Sequence, residues 1–107
     1  MPASPSSIMT LAVFRVAPEH HVAFGQAWQA LCMAFLALPQ PPSSTMTLIQ
    51  SNLDPGVFQS LGSWRSHEDV QAMRQDSSIV PLMNAMVALT ESAQPGEFTV
   101  LNVIPAD

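Results

Sequence analysis

Three side chains within eleven residues, Trp64, His67 and Arg74, are of types that act on a bound small molecule. An indole offers a flat apolar wall and one N–H that can donate to a substrate oxygen. An imidazole titrates near neutrality and can serve as a general base, and a helix N-terminus beside it keeps it neutral. A guanidinium stabilises a phenolate or a carboxylate. Each has a structural use as well. Trp64 can be a core anchor that locks a strand to a helix, and His67 a solvated residue at a helix start. Arg15, Arg65 and Arg74 can sit in ion pairs with Glu19, Glu68, Asp69 or Asp76. His20 and His21 have the same base chemistry as His67. Adjacent residues on a helix point about 100° apart, so these two are poorly placed to ligate one metal. Cys32 lies in an apolar stretch with no cation nearby and reads as a small buried hydrophobe. Met33, Met73, Met83 and Met86 read as core, and a cavity lined by methionine would suit a flat, polarizable ligand.

The elements that must position these groups are legible from Ser44 to Val70. Thr45 to Asn52 is rich in β-formers, and Asp54-Pro55-Gly56 predicts a type II turn, with Gly56 at positive φ. Val57 to Trp64 resumes an extended pattern. Ser66 then caps a helix, with Asp69 near the capping-box position. Upstream, Ile8 to Val16 predicts a strand apolar on both faces, hence covered on both. Pro18 opens a helix that runs to about Leu38, with Phe24, Trp28, Leu31, Phe35 and Leu38 in one stripe. The second half of that helix is buried all round or lines an apolar pocket. Pro39 stops it, and Gln40 to Ser44 is a connector. Asp76-Ser77-Ser78 interrupts the second helix, with a new cap at Ser77 or Ser78 and Pro81 in the following turn. Gln94-Pro95-Gly96 predicts a turn, and Phe98 to Ile104 the last strand.

The order is β-α-β-β-α-β, an α+β ferredoxin-like pattern: an antiparallel four-stranded sheet with helices on one face. The other face still carries apolar residues such as Leu11, Val13, Leu101 and Val103. Packing sheet to sheet against a second copy would cover it, which predicts a homodimer in the form of a dimeric α/β barrel.

Composition narrows the function classes. The chain has 107 residues, 48% of them apolar, which suits one domain over residues 8–107 behind a disordered tail at 1–7. Only 10% of residues are charged, and three arginines against eight acidic residues give a net charge of −5. That balance argues against nucleic acid and against an anionic membrane surface as partners. No run of 18 apolar residues is present, and no basic segment precedes an apolar core, so neither a span nor a signal peptide is expected. A single cysteine suits a reducing, cytoplasmic setting. There is no phosphate loop, no Cys-x-x-Cys and no His-Glu-x-x-His, so no metal site is expected.

Three stretches resemble the antibiotic biosynthesis monooxygenase (ABM) family of the dimeric α/β-barrel superfamily. They are Phe14-Arg15-Val16-Ala17-Pro18-Glu19, Asp54-Pro55-Gly56-Val57-Phe58 and Ser63-Trp64-Arg65-Ser66-His67-Glu68-Asp69. The resemblance spans about Met9 to Ile104. It implies a monooxygenase that needs no cofactor and oxidises a small aromatic or quinol-like molecule in an apolar cavity between sheet and helices. The deprotonated substrate would itself give an electron to O₂, so the site needs a base, oxyanion donors and exclusion of water. The catalytic candidates are Trp64, His67 and Arg74. The residues expected to line the pocket are Phe14, Phe24, Trp28, Phe35, Ser60, Met73 and Met83. Ser60 stands where some quinone-forming members have Asn, Val70 where they have an aromatic, and the chain has no tyrosine. The haem-degrading branch uses a His about ten residues past the Trp, where this chain has Arg74-Gln75-Asp76, so haem breakdown ranks low. The alternative is a non-catalytic dimeric module that holds an apolar metabolite. An ionisable side chain facing the cavity would favour catalysis, and a wall of Phe, Leu, Met and Trp alone would favour binding.

Overall fold

In a computed structural model that describes residues 7–106, the elements follow the expected order, and the second helix is interrupted after Gln75 at the expected Asp76-Ser77-Ser78. Strand β1 spans Ile8–Arg15, and a single 3₁₀ turn at Pro18–His20 leads into helix α1, His21–Leu36. Strands β2 (Thr47–Gln50) and β3 (Val57–Trp64) form the hairpin. Helices α2 (His67–Gln75) and α3 (Val80–Val87) precede strand β4, Ser92–Thr99. The sheet order is β2-β3-β1-β4 with every pairing antiparallel. This is the ferredoxin-like arrangement, with β1 and β3 at the centre.

Register fixes which side chains meet. Phe14 pairs with Phe58 and Ala93, Ala12 with Ser60 and Pro95, and Ile8 with Trp64. Alternation therefore puts Thr10, Ala12 and Phe14 beside Ser60 and Trp64 on the helix side, and Met9, Leu11 and Val13 beside Leu61 on the other. Phe14, Phe24 and Phe58 form a cluster of tilted rings with centroids 5.1 and 5.2 Å apart. Trp64 meets Phe35 edge-on at 5.4 Å and has no water-accessible surface. Gly62, also on the helix side, leaves room for Met46, because a Cβ there would overlap the Met46 thioether.

Local chemistry explains the element ends. The Ser66 hydroxyl accepts the Asp69 N–H at 3.1 Å and caps α2 as expected. The break after α2 is held by Asp76 rather than by Ser77 or Ser78. Its carboxylate accepts the Ser78 N–H at 2.8 Å and the Ser78 hydroxyl, and those bonds hold its pKa below the usual carboxylate range. Asp76 O accepts the Val80 N–H, and Pro81 lies in the first turn of α3. The first helix stops at Leu36, two residues before the expected Leu38. In the hairpin the Val57 N–H donates to Asp54 O at 2.9 Å with Gly56 outside the left-handed region, so the turn is not type II.

The last strand corrects the sequence reading. It begins at Ser92, six residues before Phe98, and runs straight through Gln94-Pro95-Gly96, which is not a turn. Proline is admissible there because β4 is an edge strand bonded only to β1. Leu101 and Ile104 lie past the strand, 86% and 83% exposed, so Leu101 and Val103 do not build the outer sheet face. Phe98 and Ile49 do, and they are 55% and 46% exposed. The expected tail at 1–7 falls outside the described residues except for Ser7. Among the described residues no helix is long and apolar enough to cross a membrane.

Two outcomes follow from this packing. Replacing Trp64 with Ala removes a fully buried ring and should lower stability by about 3–5 kcal/mol, read as a shifted midpoint in urea unfolding. Cys32 packs against the core from α1, and burial pushes its thiol up to about 11. A raised thiol pKa leaves less thiolate at any pH below it. Disulfide-reagent labelling at mildly alkaline pH should therefore run roughly 100-fold slower on native protein than on unfolded chain, and should speed up as pH rises.

Candidate functional site

A cavity of about 250 Å³ opens between the sheet and the helices. Strand β1 supplies Thr10, Ala12 and Phe14 to its floor, and β3 supplies Ser60 and Trp64. Helix α1 supplies Trp28, Leu31 and Phe35, the face that the stripe of aromatic residues required. Helix α2 contributes Met73 and Arg74, and α3 contributes Met83, Met86 and Val87. Met46 closes one side from the connector before β2, and Ala93, Pro95 and Gly96 of β4 close the other.

Polar atoms are few and mostly committed. The Trp28 indole N–H donates to Ser60 Oγ at 2.9 Å. The Trp64 indole N–H donates to Thr10 Oγ1 at 3.1 Å, and the Thr10 hydroxyl in turn donates to Gly62 O at 3.4 Å. Trp64 is thus both core anchor and cavity wall, and its N–H is not available to a substrate oxygen. Ser60 accepts from Trp28 and keeps its own O–H to donate, so it is the uncommitted hydroxyl of the cavity.

Arg74 is the one ionisable side chain among the lining residues. It is half-buried, and among the described residues it has no hydrogen bond or ion pair. The other arginines stand elsewhere. Arg15 pairs with Asp54 at 2.8 Å, a partner the sequence reading did not single out, and that bond holds the Asp54 carboxyl below its ordinary range. Arg65 is exposed.

Two expected site residues lie outside the cavity. His67 is at the surface, where its Nδ1 meets the Glu97 carboxylate across α2 and β4. The position at the helix start that suggested a base also turns the ring outward. Phe24 is fully buried between Phe14 and Phe58, one layer away from the wall, because its place on α1 falls over the end of the sheet. His21 also serves packing: Nε2 bonds Val16 O at 2.9 Å and the ring meets Phe58 edge-on. The remaining expected pocket residues, Phe14, Trp28, Phe35, Ser60, Met73 and Met83, all line the cavity with Trp64 and Arg74. The sequence reading did not list Thr10, Leu31, Met46, Met86 or the β4 residues. Thr10 was recoverable from its strand alternation with Phe14, and Leu31 from its place in the aromatic stripe. The β4 residues were lost with the misplaced strand. Among the described residues no three His, Cys, Asp or Glu side chains come together as a metal site.

No protein-family model matches the chain, and no curated protein does. Solved structures match along nearly its whole length. SnoaB, a cofactor-independent oxygenase from Streptomyces nogalater, superposes with a TM-score of 0.81 at 20% identity, over 94% of this chain and 99% of that one. A candidate antibiotic biosynthesis monooxygenase from Nitrosomonas europaea gives 0.77 at 15% identity, over 94% and 96% of the two chains. Another from Caulobacter crescentus gives 0.78 at 16%, over 92% of each. At these identities the likeness establishes the fold, and with that the chain has the α+β ferredoxin-like fold of the antibiotic biosynthesis monooxygenases.

Proposed function

We propose that this protein is a cofactor-independent monooxygenase that oxidises a small aromatic or quinol-like substrate in the cavity between sheet and helices. The observation that carries the reading is an apolar cavity with one unpaired cation, Arg74, in its wall. A flat ring fits against Trp28, Phe35 and Trp64, with methionine thioethers around it. Arg74 is the counter-ion for the enolate or phenolate that must form before O₂ reacts, and Ser60 is a neutral donor to the same class of oxygen. The balance closes without a reductant. An activated ring CH₂ loses a proton, and the carbanion passes one electron to O₂. The radical pair joins as a peroxide anion, which takes a proton back from water to become a hydroperoxide, and loss of water leaves a carbonyl. One oxygen atom stays in the product and the other departs in water. The fold shared with SnoaB supports this chemistry, and His67 has no part in it.

The homodimer belongs to the same proposal. The outer sheet face carries Met9, Leu11, Val13, Ile49, Leu61 and Phe98, and its one charge, Arg15, is already paired with Asp54. A face whose one charge is already paired can pack on its own copy about a two-fold axis without setting unpaired like charges together. The lone thiol suits a reducing, cytoplasmic setting.

Purified protein, with no metal, flavin or haem added, should consume oxygen with some members of a panel of hydroquinones and anthrones. Arg74→Gln should lower kcat/KM by about 10- to 100-fold. Binding of the same compounds without oxygen uptake would replace catalysis with a binding module. In sedimentation equilibrium the native protein should run as a dimer, and Leu11→Asp should shift it to monomer while retaining its circular dichroism spectrum.

A further inference from the structure

Among the described residues the cavity has a cation in its wall and no base. Strands β1, β3 and β4 and helices α1 and α3 present no titratable side chain to it, and α2 presents only Arg74. A guanidinium stays protonated and cannot accept the substrate's proton. The other titratable groups on or beside the flanking elements are also excluded. His67 is engaged with Glu97 at the surface, and the Asp76 carboxylate is held by Ser78. Asp69 and Glu68 lie in the first turn of α2, at the far end of the helix from Arg74. Arg65 and Glu91 are exposed, and Cys32 on α1 does not reach the wall. A neutral ligand would leave Arg74 half-buried and unpaired, whereas an anion would form a charge-assisted bond with it.

We infer that the cavity takes its substrate as an anion, an acidic phenol or enol, with Arg74 as the residue that selects it. The ligand's own ionisation then sets the pH dependence. The inference rests on the cavity being the substrate site. The sign follows directly. Below the ligand's pKa the neutral form predominates and binding is weak. Above it the anion predominates, affinity rises and then levels. By linkage, Arg74 lowers the bound ligand's pKa by the same factor by which it prefers the anion over the neutral form. The substrate's proton goes to water, not to a side chain.

Titration calorimetry against pH tests this with a naphthol, its chlorinated analogue, its more acidic nitrated analogue and the naphthol methyl ether. The midpoint of the affinity rise should move from one naphthol to the next with that ligand's own acidity. The methyl ether should bind about 10- to 100-fold more weakly than the naphtholate, with no pH dependence. Arg74→Gln should abolish the preference for the anion, and Arg74→Lys should keep most of it, each variant being checked for native circular dichroism. One midpoint common to all the naphthols would show a titrating protein group and overturn the inference, as would an ether that binds as tightly as the anion. Because the readout is binding, absence of oxygen uptake would defeat the monooxygenase reading and leave the anion selectivity standing. Oxygen uptake with a hydroquinone or anthrone, by a protein that binds the ether as tightly as the naphtholate, would do the reverse.

Discussion

The cavity persists because its two largest rings are tied to the sheet. An apolar void forfeits contact energy on every wall, so flexible side chains close such a space where they can. Here the Trp28 and Trp64 indoles are fixed by their N–H groups to Ser60 and Thr10 on the strands beneath. A tryptophan swung inward to fill the space would break its hydrogen bond and leave a buried N–H unsatisfied, and no buried side-chain nitrogen or oxygen among the described residues lacks a partner. The two hydroxyls therefore act as fixed points. They lie on neighbouring strands, on the same face, and each receives an indole that reaches it from a different element. The methionines are the adaptable part of the wall.

That arrangement was half legible in the sequence. Trp64 announced itself by standing between a β-run and a capped helix, and the Ser66 cap formed as its residues required. The stripe through Trp28, Leu31 and Phe35 put the correct face of α1 over the sheet. What could not be read was where each indole N–H ends, since that depends on cross-strand register. A shift of one residue in β1 against β3 would replace Thr10 with a side chain of the opposite face. The last strand failed for a related reason. Pro95 and Gly96 are turn residues by local preference, while Phe98 to Ile104 looks like a better strand. The edge position of β4 overrides both, because an edge strand needs only half of its hydrogen-bonding groups. His67 misled in its own way: its type suits catalysis, but at the exposed start of α2 it found Glu97 instead.

Charge distribution bears on function more than net charge does. The acidic residues outnumber the arginines eight to three, and among the described residues they lie in the 3₁₀ turn, the hairpin turn, the first turn of α2, the break after it and on or just before β4. The Arg15–Asp54 pair ties the exit of β1 to the hairpin, where solvent limits its energetic worth. Arg74 differs in having apolar neighbours and, among the described residues, no partner. A half-buried cation without a counter-ion is a standing electrostatic cost, and chains keep such groups where a ligand relieves it. In an acidic protein this positive field is local. Negative charge elsewhere on the protein opposes approach of an anion from afar, so attraction by Arg74 acts only at short range.

The departures from the quinone-forming pattern then form one chemical change rather than a set of losses. An Asn amide replaced by Ser60 exchanges a two-proton donor for a hydroxyl with one, but here the Trp28 N–H polarises that hydroxyl. A donor into the oxygen strengthens the remaining O–H as a donor in turn. An aromatic replaced by Val70 removes a ring from α2, and Val70 is fully buried against the core instead of reaching the cavity. The chain has no tyrosine, and among the described residues no carboxylate or imidazole lines the wall to carry the proton. A guanidinium and a polarised hydroxyl remain. Both can stabilise negative charge on oxygen and neither can remove a proton, so on the proposed reading the work of ionisation falls to the ligand and the work of holding the anion to the protein.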